Sequence, residues 1–141
     1  MTDTKWILGP RDGDHAVVAI WGRAFPGGVT PSDANWIGID VKVRAGRSLR
    51  FSTFLRCKDV ARFGAELAKL LAGTATEARL HPRDPWLTAT VTASGSTWTL
   101  SCSAREHASV RADEFAVECA REDLEQLAAD VQGVAAEYPV L

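Results

Sequence analysis

Apolar and polar residues alternate cleanly over residues 36–44, with Ile37, Ile39, Val41 and Val43 on one phase and Trp36, Gly38, Asp40, Lys42 and Arg44 on the other. A period of two is that of a strand with one buried face. After the turn Ala45-Gly46-Arg47, residues 48–57 alternate again, Leu49, Phe51, Thr53 and Leu55 inward and Arg50, Ser52, Phe54 and Arg56 outward. Then the period changes. Val60, Phe63, Leu67, Leu70 and Leu71 recur at helical spacing, predicting a helix over 58–72 that stops at Gly73, because glycine accepts the left-handed backbone. Asp59 falls in its first turn, where the helix dipole favours a carboxylate.

The rest of the chain divides in the same way. Residues 5–9 and 15–24 read as a hairpin around Pro10-Arg11-Asp12-Gly13-Asp14, and residues 25–34, with two prolines and two glycines, as a loop. A strand near 75–81 is interrupted by His81-Pro82-Arg83-Asp84-Pro85, and strands over 86–92 and 97–104 flank the tight link Ser94-Gly95-Ser96. A last strand over 110–119 runs into a helix over 121–138, with Leu124, Leu127, Val131, Val134 and Tyr138 on its stripe and Pro139 at its end. The two strand-to-helix passages match at a spacing of 64 residues: Phe51, Asp59, Val60, Phe63, Gly64, Leu67, Leu70 and Leu71 against Phe115, Asp123, Leu124, Leu127, Ala128, Val131, Val134 and Ala135. The expectation is a single α+β domain: a largely antiparallel sheet, two helices packed on one face, and a pseudo-duplicated order of strands, helix, strands, helix.

Charge alters that picture more than composition does. The 141 residues carry a formal charge of −2, yet Val41 to Lys58 holds six bases (Lys42, Arg44, Arg47, Arg50, Arg56, Lys58) and no acid. From Arg111 onward, eight acids (Asp113, Glu114, Glu118, Glu122, Asp123, Glu125, Asp130, Glu137) stand against two arginines. The plain structural outcome is pairing of these faces across neighbouring strands; the functional outcome is use of either patch on a partner. Cys57, Cys102 and Cys119 lack metal spacing and lie on apolar phases, so they read as buried thiols. No stretch approaches the ~18 apolar residues of a membrane span. Met1-Thr2-Asp3-Thr4-Lys5 does not resemble a signal peptide, so a cytoplasmic setting is expected.

Motifs for chemistry are missing. His15, His81 and His107 each lack a second ligand at metal spacing, and His81 with Asp84 reads as a proline-rigid turn before an acid–base pair. Asp12-Gly13-Asp14 lacks the calcium-loop ladder, Gly22, Gly27 and Gly28 make no phosphate loop, and the serines around Gly95 and Cys102 lie in no nucleophile elbow. No cofactor, metal or catalytic residue is expected. The basic 42–58 stretch, with Phe51 and Phe54, has a composition that binds single-stranded nucleic acid, but the slightly acidic total and the lack of an RNP-like motif weigh against that use. Of five tryptophans, Trp98 is in phase with the core, whereas Trp36 and Trp86 begin their strands on the polar phase and suit sheet edges or an interface.

Several structural residues carry a resemblance: Ala34-Asn35-Trp36-Ile37, Arg44-Ala45-Gly46, the helix pattern Leu55, Asp59-Val60, Phe63, Glu66-Leu67 and Leu70, then Leu71-Ala72-Gly73-Thr74-Ala75, Trp86-Leu87 and Tyr138-Pro139-Val140. In these the chain resembles the WapI-like bacterial immunity proteins and related small actinobacterial domains over most of residues 15–141. The resemblance implies a non-enzymatic cytoplasmic protein that binds and neutralises a cognate toxin. Two surfaces qualify for such a partner: Trp36, Lys42, Arg44, Arg50, Phe54 and Arg56 on the sheet, or the acids Glu118, Glu122, Glu125 and Asp130, which would suit a basic nuclease. The alternative is a small-ligand module with its pocket between the sheet and the 25–35 loop.

Overall fold

A computed structural model describes residues 4–23, 35–83, 86–106 and 112–141, with only the backbone of Arg47. The loop expected over 25–34, Asp84, His107 and the start of the strand expected at 110 lie outside the described residues. Eight strands and two helices follow one another: β1 (Lys5–Leu8), β2 (His15–Arg23), β3 (Trp36–Ala45), β4 (Arg47–Arg56), α1 (Cys57–Leu71), β5 (Glu77–Leu80), β6 (Leu87–Ser94), β7 (Thr97–Ala104), β8 (Asp113–Cys119) and α2 (Arg121–Glu137).

The α+β class and the antiparallel pairing are as expected, but the strands form two sheets. Sheet one is the meander β1-β2-β3-β4 and sheet two the meander β5-β6-β7-β8. The division has a local cause. β4 runs without a break into α1, and the chain returns as β5, a new edge paired only with β6.

Alternation sets which face is buried. Ile37, Ile39, Val41 and Val43 of β3 are fully buried, as are Leu55 of β4, Leu87 and Val91 of β6 and Leu100 of β7. These inner faces and the apolar stripes of both helices form one continuous core. Each helix packs against the edge strand of the other half, α1 along β5 and α2 along β1, and the two helices cross each other. At the crossing Gly64 lies against Val131 and Gln132, and the Gln132 side-chain amide donates to the Gly64 carbonyl at 3.3 Å. The 64-residue repeat is therefore a pair of interlocked halves.

Helix ends follow the local chemistry. α1 closes with Gly73 at φ 78°, its N–H on the Leu70 carbonyl and that of Thr74 on the Lys69 carbonyl, which satisfies carbonyls the last turn leaves open. The repeated acids occupy the same helical position with different partners. Asp59 is buried and takes the Arg56 guanidinium, whereas Asp123 reaches back to the Ala120 N–H at 3.2 Å.

The basic and acidic regions do not neutralise each other across neighbouring strands. Lys42, Arg44 and Arg50 belong to sheet one, while Glu114 and Glu118 belong to β8 of sheet two. Two sheets separate what a single sheet would have placed side by side.

Candidate protein-docking face

Register aligns the outward side chains of sheet one in rows. One row holds Ile7, Val17, Lys42 and Arg50; the next holds Lys5, Ala19, Asp40 and Ser52; a third holds His15, Arg44 and Ser48. Lys42 and Arg50, both exposed, stand directly opposite each other. Ion pairs among the described residues join Arg56 to Asp59, Arg79 to Glu77 and Arg121 to Glu125, and none of them engages Lys42, Arg44 or Arg50. Asp40, the acid within these rows, accepts a hydrogen bond from the Ser52 hydroxyl. The face is cationic and locally unbalanced.

Its other end is aromatic. β2 carries one extra residue between Ile20 and Gly22, and this bulge presents Trp21 beside Phe54 of β4. The rings meet edge to face, with centroids 6.2 Å apart and planes at 69°. Trp21 is 53% exposed and Phe54 36%, which sets them apart from the buried aromatics of the core. Gly38 lies beneath, and a methyl group there would overlap the Trp21 ring. A backbone without a side chain is what lets the indole lie down.

The other expected residues of this set have different surroundings. Trp36 is half-buried at the start of β3, opposite Arg56, and both line a cavity of about 220 Å³ with Asn35, Lys58, Arg83 and Val140. The Arg56 guanidinium grips Asp59 with two hydrogen bonds, of 2.7 and 3.0 Å, onto a carboxylate that is almost fully buried. Lys42, Arg44, Arg50 and Phe54 thus share one open face, and Trp36 and Arg56 form its structural rim.

The acidic set is dispersed. Glu118 projects from β8 opposite Thr99 on sheet two. Glu122 and Asp130 line a groove of about 620 Å³ between α2 and the β1–β2 turn, together with Arg11, Asp12 and Asp123, and Gln126 donates to Asp130 at 2.9 Å. Glu125 belongs to a separate depression beside α1 and pairs with Arg121 at 3.4 Å. Glu122 and Asp130 share that groove, and no one pocket brings all four acids together.

Among the described residues no cluster of histidine, cysteine and carboxylates has the arrangement to hold a metal ion. His15 Nδ1 lies 2.8 Å from the Gly13 carbonyl, a contact within its own turn. The cysteines are buried and free, as their phases predict. Burial pushes the Cys102 thiol up to about 12 and, with the Asp123 charge, that of Cys119 to about 11. Burial also raises Cys57, although the Arg23 guanidinium opposes the shift. None is a poised nucleophile.

Trp21 is the residue that the sequence reading passed over. It continues the outward phase of His15, Val17 and Ala19, so the signal was present, but the bulge that aims it at Phe54 depends on pairing with β3.

The family model described as the immunity protein WapI-like family matches residues 7–139. The chain belongs to the WapI-like immunity protein family. The resemblance carried by the residues from Ala34 to Val140 is thereby established as family membership over residues 7–139. No curated protein matches it. Among solved structures, trypanosome MRP1/MRP2 matches with a TM-score of 0.52 at 16% identity, covering 98% of this chain and 86% of that one. A guideRNA-binding protein complex bound to a gRNA matches equally, at 0.52 and 16%, covering 96% and 92%. At that identity the likeness is one of fold. Among the described residues no helix of the WapI-like chain is long and apolar enough to cross a membrane.

Proposed function

We propose that this WapI-like protein binds a toxin protein in the cytoplasm and blocks it without catalysing a reaction, docking through the outer face of sheet one. The carrying observation is the exposed Trp21–Phe54 pair, seated over Gly38 at the opposite end of the face from the exposed cations Lys42, Arg44 and Arg50. Tryptophan and arginine concentrate binding energy at interfaces, and a bulged strand that holds an indole in the open fits such an anchor. Family membership supports the immunity role. The scatter of Glu118, Glu122, Glu125 and Asp130 argues against the acidic set as one docking surface.

A small-ligand module is less well supported. The larger cavities, of about 620 and 500 Å³, are lined mainly by charged and hydroxyl side chains, unlike the apolar walls of typical ligand sites. The pocket expected beside the 25–35 loop involves residues outside the described set. Single-stranded RNA is the second reading, supported by the cation-plus-aromatic face and by the shared fold with a guideRNA-binding complex. The family and the net charge of −2 favour the protein.

Pull-down from the native host with the wild-type chain and with Trp21→Ala/Phe54→Ala tests the reading. The wild type is expected to retain a stoichiometric toxin and to rescue growth of cells that express it, and the variant to do neither. Retention of no protein, or of one whose toxicity the chain does not relieve, would overturn the proposal.

A further inference from the structure

Resting on that reading, we infer that the toxin surface covered by sheet one is acidic, a carboxylate cluster facing Lys42, Arg44 and Arg50, with an apolar recess for Trp21. Like charges directly opposite on paired strands repel, so Lys42 against Arg50 costs sheet stability. The architecture does not require them. At the corresponding strands of sheet two, β7 and β8, the outward pairs are Ser103 with Glu114, Ser101 with Ala116 and Thr99 with Glu118, which keep that face wet without setting like charges opposite each other. The cations therefore answer to something outside the chain.

Carboxylates fit them. An arginine fork accepts a carboxylate in two parallel hydrogen bonds, and Arg44 and Arg50 are exposed and outside every ion pair of the described residues. A cationic face also steers an acidic partner into register before the aromatic anchor seats. Phosphate polyanions fit less well. Asp40 lies within the rows, and the aromatics form one edge-to-face pair at one end, where a single strand needs a succession of stacking platforms.

The test titrates the toxin retained in the pull-down against the full chain and its variants, at 50 and 300 mM NaCl. Lys42→Glu and Arg50→Glu are each expected to weaken binding about ten-fold at low salt, and by clearly less at high salt. Lys69→Glu, the same charge change on exposed α1, is expected to leave it unchanged. Folding stays controlled, because the Lys42→Glu carboxylate faces Arg50 and is expected to melt no lower than the wild type. A benzophenone photocrosslinker at Ser48 is expected to capture an acid-rich peptide of the toxin, and one at Ser101 to capture none. Toxin bound and neutralised with no response to either reversal would overturn the acidic-surface inference and leave the immunity reading standing. No toxin bound by the wild type would remove both. A 12-mer oligouridylate that competes with the toxin and shows the same losses on charge reversal would reassign the face to nucleic acid.

Discussion

On sheet one, β3 and β4 set Lys42 against Arg50 and Asp40 against Ser52; on sheet two, β6 and β7 set Thr90 against Ser101 and Thr92 against Thr99. Both are outer faces of four-stranded antiparallel meanders, and both turn apolar side chains toward the shared core. On sheet two that central pair carries hydroxyls alone, and Glu114 and Glu118 of the edge strand β8 face Ser103 and Thr99 with no like charge opposite. Sheet one carries repelling cations and exposed rings beyond what folding requires, and the proposed docking face rests on that surplus.

The contrast breaks most visibly under charge reversal. Lys42→Glu with Arg50→Glu is expected to weaken toxin binding by about 100-fold, against less than about two-fold for Thr90→Glu with Ser101→Glu, as measured by calorimetric titration. Equal losses on both faces would erase the distinction. Removing the anchor comes next: Trp21→Ala is expected to weaken binding about 30-fold, with a melting temperature within a few degrees of the wild type, since the ring is largely in solvent. Gly38→Val should reproduce that loss by evicting the indole.

The same comparison extends to the helix starts. Arg56→Ala strands the buried Asp59 carboxylate and is expected to cost about 2 kcal/mol, at the low side for a broken buried pair because Arg56 is partly exposed. Asp123→Ala, which loses a bond to one N–H at a half-exposed site, should cost about 1 kcal/mol or less. Urea melts read both, and an Arg56→Ala chain of unchanged stability but lost binding would return Arg56 to the interface.

The two buried thiols of the second half bear on pH. Unfolded thiols ionise near the ordinary value of 9.0, whereas folded Cys102 holds its proton to about 12 and Cys119 to about 11. Stability from this source is therefore complete below pH 9 and falls as pH rises, toward about 11 for Cys119 and about 12 for Cys102, the folded state keeping protons that the unfolded state has lost. Cys102→Ala should flatten that alkaline decline by about 1 kcal/mol per pH unit above 9. The smallest effect concerns Gly64, whose counterpart is Ala128. A methyl there meets Gln132 and Val131 at 3.4 Å, ordinary contact, so Gly64→Ala is expected to stabilise by about 0.5–1 kcal/mol through helix propensity.

Much of the fold was legible because its signals are local. Alternation over Trp36–Arg44 and the helical stripe from Val60 to Leu71 place β3 and α1 within a residue or two of their observed limits, and Gly73 marks the end of α1. The split into two sheets and the exchange of helices between halves were not legible, since both depend on which distant edges β1 and β5 expose to a helix. The same applies at the site. Lys42, Arg44, Arg50 and Phe54 follow from strand phase, but Arg56 is turned away by its pair with Asp59, and the Trp21–Phe54 contact exists only through a bulge in pairing with β3.

Hydroxyl-radical footprinting of the free chain and of its toxin complex probes the docking face most directly. Trp21 and Phe54 should oxidise readily in the free protein and be protected on binding, while Trp86, beside Arg105 at the end of sheet two, should be unaffected. Unchanged oxidation of Trp21 and Phe54 in a complex that neutralises the toxin would contradict docking through sheet one.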